Sequence, residues 1–211
     1  MAWLVEYAPL ISAVMSGVTA TIWIVYLNVF LSSYRRQHRP SILITAAGGK
    51  GMNAHCFVTN LGLEPVFLLD LILDVTLQDG RTFRAIIPER NERHAEGNDD
   101  DARAATNIGP LGSAEEKDVG RFRTLIARAC AENPDMREDM PFSCLEITVV
   151  CVTASRAALY GASRRYVISR DHAGSTILRP TTITARQIDG WFARRAIARE
   201  LRKELGTTNP L

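Results

Sequence analysis

The chain has 211 residues, with 25 Lys or Arg against 23 Asp or Glu and a net charge of +2. That length holds one membrane anchor and one modest domain, which excludes a large multidomain enzyme. The near balance of charge and a 7% aromatic content give no nucleic-acid signature, so no nucleic-acid partner is expected.

No residue from Tyr7 to Tyr34 is charged, and Glu6 and Arg35 bound the run. As a helix rising about 1.5 Å per residue, it exceeds the roughly 30 Å hydrocarbon core of a bilayer. A buried globular helix of that length carries a polar stripe, and this run has none. A signal peptide needs positive charge ahead of its apolar run. Only Glu6 stands there, and apolar sequence continues beyond Val18-Thr19-Ala20 to Leu31. The run is therefore predicted to be a transmembrane helix spanning about 8–32 inside an N-terminal segment of 1–34. Trp3, Tyr7 and Phe30 are aromatic candidates for interfacial depth, and Trp23, Tyr26 and Tyr34 are taken with Arg35, Arg36 and Arg39 as the membrane-interface set.

Orientation follows from the flanks. Arg35, Arg36 and Arg39 lie in the linker 35–40, and the other flank has no basic side chain. Basic flanks stay in the cytoplasm, so the N-terminus is expected outside and the C-terminal domain inside. Of the 25 basic residues only Lys50, Lys117 and Lys203 are lysines. That arginine bias suggests a GC-rich bacterial genome, and the expected location is the bacterial inner membrane. Ala13, Gly17 and Thr21 recur at a spacing of four, with Ser12, Ser16 and Ala20 on the next line. Small residues at that spacing let helices approach closely, which suits packing on another integral membrane protein or on a second copy.

The remainder is predicted to be mainly β with accessory helices, an antiparallel β-sandwich over 41–180. The clearest element is the hairpin Val66 to Ile87. Leu69, Leu71, Leu73, Val75 and Leu77 alternate with Asp70, Asp74 and Thr76, Asp79-Gly80 supplies the turn, and Phe83, Ala85 and Ile87 resume the inward face. In a second pair, Leu145, Ile147, Val149 and Cys151 form one face, and a strand from about Ala158 to Ser169 returns. Its inward face places Arg164 among Tyr160, Ala162, Tyr166 and Ile168. Shorter strands fit Ser41 to Ala47, Ala54 to Asn60 and Ser175 to Pro180. Cys56 and Cys151 fall on well-separated strands, which resembles the paired cysteines of immunoglobulin-like domains, although the intervening Trp of those domains is missing. An immunoglobulin-like arrangement is compatible with this pattern.

Between the hairpins, 88–118 carries nine acids against four Lys or Arg and reads as a long acidic loop. A short helix is expected over about 119–132, with Phe122, Leu125, Ile126 and Ala129 as its apolar face and Pro134 beyond its end. The C-terminal segment 181–211 is expected to form a basic amphipathic helix capped by Thr184 and stopped by Gly206. Arg195, Arg199, Arg202 and Lys203 group on it, and Trp191, Ile197, Ala198, Leu201 and Leu205 form an apolar arc. Such a helix can bind anionic lipid, dock on an acidic partner or cover an edge of its own domain.

Catalytic signatures are sparse. Gly48-Gly49-Lys50-Gly51 lacks P-loop spacing and precedes a strand, so it reads as a hairpin turn. Asp99-Asp100-Asp101 lacks the alternating ligands and closing Glu of a Ca²⁺ loop. Cys56, Cys130, Cys144 and Cys151 form no CxxC or Cys/His metal spacing, and in a reducing compartment they act as small buried hydrophobes. A pairing of His55 with a cysteine nucleophile has no support in spacing. No catalytic residue, metal or cofactor is therefore expected, and any small-molecule ligand is unknown. The sequence is read as a non-catalytic, single-pass accessory or assembly subunit of a larger inner-membrane complex. The alternatives are a self-associating membrane sensor or adaptor and a membrane enzyme without a recognisable motif.

Overall fold

The uncharged N-terminal run folds as one helix, α1 (Ala2–Gln37). The computed structural model describes residues 2–37, 41–87, 107–153, 159–171, 175–190 and 192–199. They divide into two units after Arg39. Within α1, Pro9–Tyr34 is long and apolar enough to cross a membrane. Four of its polar side chains turn back on their own helix. Thr19 Oγ1 donates to the Met15 carbonyl at 2.9 Å, Thr21 Oγ1 to Gly17 at 2.8 Å, Asn28 Nδ2 to Ile24 at 3.0 Å and Ser32 Oγ to Val29 at 2.9 Å. Unpaired polar groups in hydrocarbon cost several kcal/mol, so this pairing suits a lipid surround.

The second unit is mainly β and antiparallel. One sheet has the order β1 (Ile42–Ala47), β2 (His55–Asn60), β6 (Glu116–Arg121). The larger sheet runs β10 (Arg186–Ile188), β8 (Leu159–Arg170), β7 (Phe142–Thr153), β3 (Val66–Leu77), β4 (Thr82–Ile86). Two more short strands share the outer edges of its long strands: β5 (Gly109–Leu111) pairs with β3, and β9 (Thr176–Pro180) with β8.

The expected hairpin is present, with Thr76 opposite Thr82 and a turn at Gly80, φ 88°. The inward face needs one correction. The β3–β7 register skips Leu69, so Val66 and Leu68 point inward before this bulge and Leu71, Leu73, Val75 and Leu77 after it. Leu69 itself is half-buried. A bulge adds one residue and reverses the parity of all that follows.

The inner faces of both sheets share one core with α2 (Phe122–Glu132). The four apolar residues expected of that helix, Phe122, Leu125, Ile126 and Ala129, are its buried ones. Phe122 meets Tyr166 of β8 edge to face at 5.1 Å. The acidic loop ends earlier than expected, because Gly109–Leu111 pairs with β3 and Glu116–Arg121 pairs with β2 as an edge strand. In that strand only Val119 is buried, which is why the segment shows no apolar alternation. Asp99, Asp100 and Asp101 lie outside the described residues.

The C-terminal expectation is also corrected. No helix starts at Thr184: Arg186–Ile188 pairs with Ser163–Gly161 of β8 as β10, and the described helix occupies 192–199. Gln187 explains the strand. Its Nε2 donates to the Ile42 carbonyl at 2.8 Å, and its Oε1 accepts from the Ile42 amide at 3.0 Å and from the Tyr160 hydroxyl. The side chain thus supplies the backbone partners that an edge residue of β1 lacks. Arg164 adds a second tie, donating to the carbonyls of Ile44, Thr182 and Ile183.

Candidate functional site

Three places collect the residues singled out in the sequence. On α1, Ala13, Gly17 and Thr21 are exposed along one line, and a Cβ placed at Gly17 would meet nothing within 4 Å. Trp23, Tyr26 and Tyr34 are exposed as well, and Trp23 packs edge to face on Tyr26 at 6.0 Å. Trp23 and Tyr34 are about 17 Å apart along the helix axis, so they occupy different depths of the span. The backbone of α1 includes Arg35 and Arg36. Arg39 lies outside the described residues.

The C-terminal helix is the second place. Arg195 and Arg199 are exposed on it, while Trp191, Arg202 and Lys203 lie outside the described residues. Its Ile197 sits over β8, where a Cβ at Gly161 would come within 3.2 Å of Ile197 Cδ1. A side chain at this position would force Ile197 to shift by a few tenths of an ångström, and would also press on the Val149 carbonyl oxygen at 3.0 Å. Beneath it lies a cavity of about 320 Å³ bounded in part by Ile72, Ile188 and the Asp74–Arg84 pair. In that pair the guanidinium grips the carboxylate with two bonds, at 2.6 and 2.9 Å. Ile72 breaks the sequence alternation because it is buried on this outer face.

The third is a polar lock between β2 and β6, which spacing did not reveal. His55 Nδ1 lies 2.6 Å from Asp118 Oδ2, and Arg121 Nε donates to His55 Nε2 at 3.1 Å. Since an arginine can only donate, Nε2 is the acceptor and Nδ1 carries the proton shared with Asp118. Both ring nitrogens are engaged within the sheet. Cys56, the next residue, faces the opposite way and is fully buried. Burial, reinforced by the charge of Asp118 and opposed by Arg164, pushes its thiol up to about 12. Burial pushes Cys151 up to about 12 as well. A thiol so protonated is a poor nucleophile and metal ligand. His55 and Cys56 therefore form no nucleophile–base pair. Among the described residues no group of three His, Cys, Asp or Glu converges as a metal site.

All four cysteines are free, and Cys56, Cys144 and Cys151 are buried. Alkylation of the native chain near neutral pH is expected to spare these three and to modify the partly exposed Cys130 slowly. After unfolding without reductant, mass spectrometry should count four alkylated thiols. A shortfall of two, with Cys56 and Cys151 missing, would place the domain in an oxidising compartment and reverse the orientation argued from the arginines.

No known protein family, curated protein or solved structure matches this chain.

Proposed function

We propose that this chain is a non-catalytic, single-pass accessory or assembly subunit of a larger complex in a bacterial inner membrane. One observation carries the reading. The apolar side chains of α1 are exposed all round, with Leu10, Ile22 and Trp23 at 63%, 63% and 65%. An apolar surface of that extent needs lipid or other helices to cover it. Thr19, Thr21, Asn28 and Ser32 bond back to the helix's own carbonyls, which lowers the cost of burying them in either. The arginines after the span favour a cytoplasmic position for the β domain. That domain offers a broad antiparallel surface for a partner and has both nitrogens of His55 committed to its own structure.

Self-association is a second reading, favoured by the Thr21 hydroxyl folded onto the Gly17 carbonyl. This leaves Ala13, Gly17 and Thr21 as a smooth line for close helix approach. Gly17→Leu tests both readings at once. It should weaken association with the partner helix, of either kind, by roughly tenfold, on the order of 1.4 kcal/mol. Insertion, read as resistance to alkaline extraction, should not change. Association equal to that of the parent chain would remove this face from the interface.

A further inference from the structure

The chain enters the β domain at Ser41, and the turn that joins β2 to β3 is bonded to that entry point. The Leu61 amide donates to the Ser41 carbonyl at 2.8 Å. In register, Ile42 at the start of β1 faces Asn60 at the end of β2, and Thr59 faces Glu116 at the start of β6. One end of the small sheet therefore gathers the entry point and the turn.

The turn is shaped from within. Asn60 is fully buried. Its Nδ2 donates to the carbonyls of Glu64 at 2.9 Å and Leu111 at 3.2 Å, and its Oδ1 accepts from the Gly62 amide at 2.9 Å. The Ser113 hydroxyl donates to the Gly62 carbonyl at 2.8 Å. A backbone pinned this way cannot fold its side chains onto the core. Gly62 is buried, while Leu61 and Leu63 on either side of it are 56% and 64% exposed. One exposed leucine is ordinary on a protein surface. Two on one pinned turn form an apolar tip that needs a cover.

The tether says what that cover is. Gln37 ends α1, and Ser41 follows four residues later. Four residues reach at most about 14 Å. Arg35 and Arg36 mark the membrane surface at that end of the span. The tip is thus leashed within reach of the headgroup layer. Glu64 lies on the turn, and Glu115 and Glu116 lead into β6. Acids gain nothing from anionic lipid, so apolar burial is the attraction on offer.

We propose that the Leu61–Leu63 turn inserts into the interfacial layer of the bilayer that α1 crosses, as a second and apolar membrane contact. The proposal rests on the reading of α1 as a membrane span, and it holds for either topology of that span.

The test uses the full chain in phosphatidylcholine nanodiscs. Cys130→Ser removes the partly exposed thiol, and Cys56, Cys144 and Cys151 are buried. A nitroxide is attached through Leu63→Cys, through Gln78→Cys in the exposed turn at the far end of β3, or through Ile22→Cys within the span. Power saturation then compares collisions with oxygen and with a water-soluble nickel complex. The oxygen-to-nickel ratio is expected to be about tenfold higher at position 63 than at position 78. Leu61→Glu should bring position 63 down to the ratio of position 78, and unchanged melting would show that the fold is kept. Added phosphatidylglycerol should leave the ratio at position 63 unchanged. Water at position 22 would overturn the span, and this proposal with it. Lipid at position 22 with equal ratios at 63 and 78 overturns this proposal alone. So does protection of position 63 that needs phosphatidylglycerol, or that is found only in native membranes, where a partner protein would be the cover.

Discussion

Gly51→Ala is expected to lower the melting temperature of the β domain by about 9 °C, for a loss of about 3 kcal/mol in a domain of this size. Two costs add. Gly51 has φ +55°, a left-handed conformation that any other L-residue adopts at about 1 kcal/mol or more. A Cβ there would also overlap the carbonyl oxygen of Thr176, the first residue of β9. Backbone cannot rotate away as a side chain can, so turn and strand must separate, at a cost on the order of 2 kcal/mol. Gly80 separates the two terms. It too has positive φ, at +88°, but a Cβ there meets nothing within 4 Å. Gly80→Ala should therefore cost only about 1 kcal/mol. Equal melting temperatures for the two variants would rule out the close approach of the turn to β9. That approach also shapes a surface cleft, which Lys50 and Met52 beside Gly51 line together with Thr176.

Arg164→Met is expected to cost about 3 kcal/mol, and for a different reason. Arg164 as a whole residue is 9% exposed, and its guanidinium donates to three carbonyls, those of Ile44 in β1 and of Thr182 and Ile183 before β10. Methionine keeps the apolar stem of the side chain and removes the donors, which strands a carbonyl at roughly 1–3 kcal/mol where it stays buried. The loss is offset in part. Arg164 Nε is buried without a partner, and removing an uncompensated cation relieves its desolvation. Thr182 and Ile183 are exposed, so their carbonyls can turn to water, but the buried Ile44 carbonyl and the lost tie between the two segments outweigh one relieved donor, and the net sign is destabilising. Arg164→Lys should recover little, because one ammonium lacks the planar fork that serves two segments together. Hydrogen exchange should show the loss at β1 and at residues 181–185 first. A neutral or stabilising Arg164→Met would mean that relief of the charge outweighs the carbonyls.

Much of this fold was legible where one residue in two, or one in three or four, faces the core. The run Leu71 to Leu77 announced a strand, and Phe122, Leu125, Ile126 and Ala129 announced a helix face, because burial selects apolar side chains at the period of the backbone. Where burial is slight the signal fails. Glu116–Arg121 buries one residue of six, so its sequence reads as loop running into helix. Arg186–Ile188 is held by the side chain of Gln187, a contact over 145 positions that no local pattern contains. The bulge at Leu69 hid inside four consecutive apolar residues, Val66 to Leu69, where both parities look alike. Arg164 was visible as a flaw on an inward face, but its three acceptors come from elsewhere in the chain. The His55–Asp118 contact joins residues 63 apart, so neither spacing nor motif could announce it. The small-residue line on α1 was fully legible, since it depends on helical period alone.

The most direct test of the membrane-subunit reading is gentle extraction of the chain from its native membrane, followed by native mass spectrometry of what leaves with it. The account predicts a discrete assembly in which this chain is accompanied by other integral membrane proteins at fixed stoichiometry. Recovery of the chain alone, as a monomer or a homodimer, would contradict it.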